Sequence, residues 1–111
     1  MVITEAEFRS QADAALDHLN RALGAVAEQY DVEVLFQNGV LNIETEAPNP
    51  GKIVISPNTP VRQIWISAQM KSFKLDWRDT TFVLAATGEA LYALVARLVG
   101  EQLGVSGISL G

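Results

Sequence analysis

Two groups of side chains in this 111-residue chain have the types and spacing to do chemistry. The first is a set of carboxylates in the N-terminal part: Asp13 and Asp17 stand four residues apart, and Asp31, Glu33, Glu44 and Glu46 flank an Asn38-Gly39 turn. Hard cations take oxygen ligands, and carboxylates at i, i+4 on a helix or facing each other across a hairpin can share one. That chemistry is a weak, exposed cation site, and ligand type alone leaves calcium, magnesium, manganese and iron open. A solvated face explains the same acids without any metal and is the simpler reading of these residues. The second group centres on Trp65, which alternates with Gln63 and Ser67 against Ile64 and Ile66. A tryptophan on the polar side of a strand is either a hot spot for a protein partner or a ring packed under a loop.

Composition removes most other chemistry. The absence of cysteine excludes disulfides, thiolate zinc sites, cysteine nucleophiles and iron–sulfur clusters held by this chain. One histidine, His18, excludes multi-histidine metal sites within the chain. His18 falls mid-helix with no carboxylate three or four residues away, so it reads as a surface or boundary residue and not as part of a triad. Nucleophile elbow, phosphate loop and dinucleotide fingerprint are missing, and carboxylates on an open hairpin have no pocket to raise one pKa for glycosidase chemistry. A net charge of −5 disfavours binding to nucleic-acid phosphates. The charge is lopsided: residues 1–46 hold nine acids against two bases, and residues 47–111 hold four acids against six bases.

These residues must be positioned by regular elements. Thr4 with Glu7 is a capping box and Ile3 with Phe8 the matching hydrophobic staple, so a helix opens there. Phe8, Ala12, Ala15, Leu19, Leu23, Val26 and Tyr30 form its buried stripe, while Glu5, Arg9, Asp13, Asp17 and Arg21 line the opposite face. At Asp31 the period becomes two, and Asn38-Gly39 supplies a two-residue hairpin. That loop sets Glu33 opposite Glu44 and Asp31 opposite Glu46, on the face away from Val32, Val34, Phe36, Leu41 and Ile43. Like charges so placed are destabilising unless splayed into solvent or bridged by a cation. Pro48-Asn49-Pro50-Gly51 is a turn, Lys52–Ser56 a third strand, and Pro57-Asn58-Thr59-Pro60 another turn. Strands at Val61–Ala68, Phe73–Trp77 and Thr81–Ala86 follow. A second helix begins near Thr87-Gly88-Glu89, carries the stripe Leu91, Leu94, Val95, Leu98, Val99 and Leu103, and ends at Gly104. Ile108 and Leu110 make the tail apolar enough to dock. Glu89 and Arg97 interrupt the hydropathic stretch 82–100, which therefore reads as strand then amphipathic helix and not as a membrane span.

The order helix, about six antiparallel strands, helix predicts one α+β domain over residues 1–111. It is a two-layer sandwich with both helices on one sheet face and the other face solvated. The opening Met1-Val2-Ile3-Thr4-Glu5 has no basic region before an apolar stretch, so neither signal nor transit peptide is expected.

The stretch Ile53-Val54-Ile55-Ser56-Pro57-Asn58-Thr59-Pro60-Val61-Arg62-Gln63-Ile64-Trp65-Ile66-Ser67 resembles the signature of the frataxin family, an apolar strand, a turn ending in Thr-Pro, then Gln-Ile-Trp. Phe8, Ala12, Asp13, Leu16, Asp17 and Leu19 match that family's first helix, Gly39-Val40-Leu41 its first hairpin, Asp76-Trp77 its fifth strand and Gly88-Glu89-Ala90-Leu91 the start of its last helix. The resemblance implies a frataxin-like fold and a non-enzymatic role in iron–sulfur cluster assembly. It also implies weak binding of ferrous or ferric iron and contact with a cysteine desulfurase and its scaffold protein, as regulator or iron chaperone. Asp13, Asp17, Asp31 and Glu33 match acidic family positions, and Glu44 across the hairpin completes the candidate metal set. Asn58, Gln63 and Trp65 fall on the family's partner-binding face, and Lys74 stands where eukaryotic members tend to have arginine. Gly24, Ala25 and Ala27 occupy the helix end where the family often crowds acids, which favours the alternative of an interaction module that uses the Trp65 face without significant iron. The resemblance further implies a monomer with iron-dependent oligomers, located in bacterial cytoplasm, or in the mitochondrial matrix for a eukaryotic member.

Overall fold

The computed structural model describes residues 3–46, 50–68 and 70–110. Its order is α1 (Glu5–Gln29), β1 (Val32–Gln37), β2 (Val40–Thr45), β3 (Gly51–Asn58), β4 (Gln63–Ala68), β5 (Lys71–Arg78), β6 (Thr81–Leu84) and α2 (Leu91–Leu103), with one 3-10 turn at Thr59–Val61 between β3 and β4. The strands form a six-stranded antiparallel sheet in sequence order, so every connection joins neighbours. The expected α+β sandwich is the one observed.

Helix α1 starts where its sequence says. Thr4 accepts from the Glu7 backbone N–H at 3.1 Å, and Glu7 Oε1 accepts from the Thr4 N–H at 3.2 Å. Such a cap is worth ~1 kcal/mol. These bonds hold the Glu7 carboxyl below its ordinary pKa, the Thr4 hydroxyl being the larger influence. Phe8, Ala12, Ala15, Leu16, Leu19 and Leu23 are buried. The stripe ends sooner than expected: Val26 is half-buried and Tyr30, whose N–H bonds to the Val26 carbonyl as the C-cap, is exposed.

The sheet presents one face to both helices. Leu41, Ile43, Ile53, Ile55, Ile64, Ile66, Leu75 and Phe82 are buried on it, and α2 adds Leu91, Leu94, Val95, Leu98 and Val99. Each such side chain contributes roughly 1.5–3 kcal/mol on removal from water. Phe82 is the junction, edge-on to Phe8 of α1 at 5.8 Å and to Trp77 of β5 at 5.0 Å.

Several boundaries differ from the sequence reading. Strand β3 runs through Pro57 and Asn58, which were expected in a turn. The β2–β3 ladder stops at Leu41↔Ile55, so Pro57 pairs with Ile64 of β4 where the β2 side has no ladder bond to lose. The chain then turns through Thr59–Val61 and a left-handed Arg62 (φ 54°), so β4 begins at Gln63 instead of Val61. Strand β5 is longer than Phe73–Trp77, and β6 stops at Leu84. Residues 87–89 are not helical: the Thr87 and Gly88 N–H groups both bond to the Leu84 carbonyl, an isolated bridge joins Val83 to Ala90, and α2 begins at Leu91. Of the expected turn at 48–51, residues 48 and 49 lie outside the described residues, and Gly51 opens β3.

Helix α2 ends at Gly104, whose φ of 69° suits glycine. The tail then returns over the helices: His18 stacks on Tyr92 at 4.5 Å, and its Nε2 donates to the Leu110 carbonyl at 2.7 Å. A carbonyl only accepts, so the proton sits on Nε2. Leu110 is buried, as the apolar tail suggested, and His18 is an exposed surface residue held by these two contacts. Among the described residues no helix is long and apolar enough to cross a membrane.

Candidate functional site

The sheet face that no helix covers carries two chemically different regions. The acidic one is at the β1–β2 edge. The hairpin closes through Asn38 (φ 54°) and Gly39 (φ 76°), the paired left-handed geometry of a two-residue turn. The register that results puts Glu33 opposite Glu44, as expected. The ladder ends at Val32↔Thr45, so Asp31 and Glu46 lie just beyond it and not in a paired position. Strand β3 places Lys52 opposite Glu44, with Nζ 3.9 Å from Oε1. Lys52 thus offsets one acid of the like-charge pair, Glu44, with a cation supplied by the protein itself, while Glu33 forms no ion pair among the described residues.

Asp13 and Asp17 lie in the other layer, on the outer face of α1. Asp17 is held by Arg21 at 3.2 Å, and Glu5 by Arg9 at 2.9 Å. Asp17 is separated from the end of α1 at Gln29 by about 18 Å of helix. The structure therefore brings Glu33 and Glu44 together and Asp13 and Asp17 together, but does not gather the five candidate acids into one shell. Among the described residues no group of three or more His, Asp or Glu side chains converges on a point that could hold a metal. What the arrangement can do with a cation is local: two carboxylates at a time, open to water.

The second region is built on β3, β4 and β5. Trp65 is on the open face, 37% exposed, between Ser56 on one neighbour and Lys74 on the other. Lys74 Nζ lies 4.8 Å from the indole centroid, inside the range of a cation–π contact. On the next rung Asn58 pairs with Gln63, and Gln63 with Asp76. The Trp65 indole N–H donates to Gln63 Oε1 at 3.0 Å, and Gln63 Nε2 donates to Asp76 Oδ1 at 2.9 Å. All four residues expected to bind a partner, Asn58, Gln63, Trp65 and Lys74, thus occupy two adjacent rungs of one surface. Beside it, Arg62 Nε is buried with no hydrogen-bond partner among the described residues.

A frataxin-like domain model matches residues 1–105. The chain belongs to the frataxin family. Among frataxin-family relatives, the iron-sulfur cluster assembly protein CyaY of Ralstonia nicotianae is 31% identical over 102 residues, covering 90% of this chain and 88% of its own. The protein of the same name from Azotobacter vinelandii is 32% identical over 108 residues, covering 94% of this chain and 93% of its own. A frataxin from Psychromonas ingrahamii superposes with a TM-score of 0.84 over 98% of this chain and 99% of that one, at 16% identity, which shows the shared fold.

The sequence placed Lys52 and Asp76 on strands but gave neither a role on this surface. Both are defined by register, and register follows only once the turns are placed. Lys52 needs the register of β3 on β2, and Asp76 needs the turn after Ala68, where Met70 has φ 68° and the sequence carries no Asn-Gly or Gly signal.

Proposed function

We propose that this protein is a non-enzymatic regulator of iron–sulfur cluster assembly that docks on a cysteine desulfurase–scaffold complex through its uncovered sheet face. The observation that carries this reading is Trp65: a large apolar ring on the side of the sheet that packs against nothing in the core, held in place by Gln63 and Lys74. Exposed aromatic anchors with ordered surroundings are where binding energy concentrates. The names of the curated relatives support the pathway. A domain of this kind alters sulfur transfer only by binding one state of the complex better than another, so its effect on rate reads out that differential affinity. The setting that fits bacterial relatives is the cytoplasm.

A second reading concerns iron as cargo. Asp13, Asp31 and Glu33 form no ion pair among the described residues, which leaves them open to a cation. Ferrous iron on two exposed carboxylates should bind no tighter than micromolar, ~−8 kcal/mol, and other divalent ions should displace it. The deciding experiment titrates the wild type and Trp65→Ala into a purified bacterial desulfurase–scaffold complex, with and without ferrous iron. The docking reading expects binding without iron and a loss of at least about tenfold in the variant. Equal binding by both proteins, or binding only with iron present, rejects docking as the primary function.

A further inference from the structure

We propose that Asp76 and Gln63 form a relay that fixes the orientation of the Trp65 indole for docking. Asp76 is then a positioning residue of the face, and Gln63 acts through Trp65 and not by offering its amide to the partner. The inference deepens the docking reading above and rests on it.

The chemistry of the three groups allows one arrangement. An indole N–H can only donate and an ionised carboxylate can only accept. The Gln63 amide lies between them with one accepting and one donating end. Turning it over would set an amide oxygen against the Asp76 carboxylate and an N–H against the indole N–H, so Asp76 selects the amide orientation and the amide selects the indole edge. The observed contacts, 2.9 Å from Gln63 Nε2 to Asp76 Oδ1 and 3.0 Å from Trp65 Nε1 to Gln63 Oε1, are in that sense. Backbone register makes the relay reachable, because Gln63 and Asp76 are direct cross-strand partners and Gln63 and Trp65 are two apart on the same strand face. Lys74, opposite Trp65, holds the ring from the far side at 4.8 Å. A ring held at its N–H by Gln63 and across its face by Lys74 is already ordered before a partner arrives. Ordering a mobile side chain on binding weakens affinity severalfold, so preorganisation is what the relay supplies.

The test reads the free protein and the complex separately. In nitrogen-15-labelled protein the chain has two indole N–H signals, from Trp65 and Trp77, and Trp65→Phe identifies which is which. Asp76→Ala should move the Trp65 indole signal and speed its exchange with water, and should weaken binding to a purified desulfurase–scaffold complex about fivefold. Asp76→Asn keeps an accepting oxygen and should stay within about twofold of wild type in both readouts. Gln63→Leu, close in volume and without the amide, should reproduce or exceed the Asp76→Ala effect, and it also serves if Asp76→Ala folds poorly. An unmoved indole signal in both Asp76→Ala and Gln63→Leu overturns the relay. A moved signal with unchanged binding overturns its role in docking, provided Trp65→Ala does weaken binding. If Trp65→Ala binds as wild type does, the docking reading itself fails and takes the inference with it. A loss in Asp76→Asn equal to that in Asp76→Ala would point to direct contact by the carboxylate and also overturn the positioning role.

Discussion

The acidic hairpin edge and the Trp65 rungs share one sheet face, and they are built to opposite rules. At the edge, Glu33 and Glu44 face each other, neutralised in part by a single Lys52 contact at 3.9 Å, and their carboxylates are exposed. On the rungs, Trp65, Gln63 and Asp76 are linked by directed hydrogen bonds, and Lys74 lies over the ring. Charges left loose in water can exchange partners cheaply, which suits a weakly held cation and gives little shape for a protein to recognise. An indole fixed on two sides presents one shape and loses little freedom on binding. The difference matches the proposed division between the two groups: loosely held acids suit passing contacts, and the ordered rungs suit the docking proposed for them.

The largest effect that tests this contrast lies within strand β4. Ile64 and Trp65 are adjacent but lie on opposite faces of the sheet, Ile64 fully buried under the helices and Trp65 partly exposed on the uncovered side. Ile64→Ala should cost roughly 2–5 kcal/mol of folding stability, because it opens a cavity in the core. Trp65→Ala should cost no more than about 1 kcal/mol of stability, the range of a lost surface packing and hydrogen bond. Urea unfolding followed by circular dichroism measures both. Equal losses would place Trp65 in the core and remove the reason to regard it as an anchor.

A carboxylate outside both regions supplies the bound reference. Glu89 meets Arg97 through two contacts, Nε to Oε2 at 2.8 Å and Nη2 to Oε1 at 2.9 Å, and Arg97 also reaches Glu101 at 3.2 Å. The Arg97 hydrogen bond holds the Glu89 carboxyl below its ordinary value of 4.5, outweighing the opposing effect of burial. A carboxyl with a depressed folded-state pKa favours folding above its unfolded-state pKa, and that contribution disappears as pH falls through the folded-state value. Glu89→Gln should therefore lower stability at neutral pH by about 1 kcal/mol at most, since the pair is partly exposed. It should also flatten the loss of stability between neutral and acid conditions. Comparing the wild type and Glu89→Gln in urea at pH values on either side of 4.5 checks it. A steeper acid loss in the variant would contradict the assignment.

Much of this was legible before any coordinates, and the reasons it stopped where it did are physical. The capping box, the Asn38-Gly39 turn and the alternation through Ile64, Trp65 and Ile66 each encode geometry within a few residues, so α1, the first hairpin register and the outward Trp65 follow directly. The start of α2 did not follow, because Thr87 and Gly88 close a turn on Leu84 that competes with helical bonding and carries the same residue types as a helix start. Strand β3 was cut short because Pro57 reads as a breaker, and only the end of the β2 ladder makes it tolerable. The acids were legible as a set but not as an arrangement. Sequence spacing places Asp13 with Asp17 and Glu33 with Glu44, whereas the two pairs end up in different layers of the sandwich.

The smallest effect is the sharpest test of the acidic edge. Lys52 and Glu44 are each more than half exposed, so their attraction at 3.9 Å contributes little on its own. Removing the lysine nevertheless leaves Glu33 and Glu44 opposed with no cation beside either of them, and like charges in that position repel. Lys52→Ala should lower stability by about 0.5 kcal/mol in low salt, with the loss shrinking as salt screens the repulsion. A divalent ion can take the place of the ammonium group, so ferrous iron or manganese should restore the lost stability. It should bind the variant about two- to threefold more tightly than the wild type, the change expected from removing one competing exposed charge. Amide shifts at Glu33 and Glu44 follow the binding, while those at Asp13 and Asp17, in the other layer, should saturate independently and with unchanged affinity. If Lys52→Ala leaves cation binding at the hairpin as it was, the edge is a solvated face and not a cation site. If both acid pairs shift together with one affinity, the acids cooperate across the two layers, and the separation drawn between them is wrong.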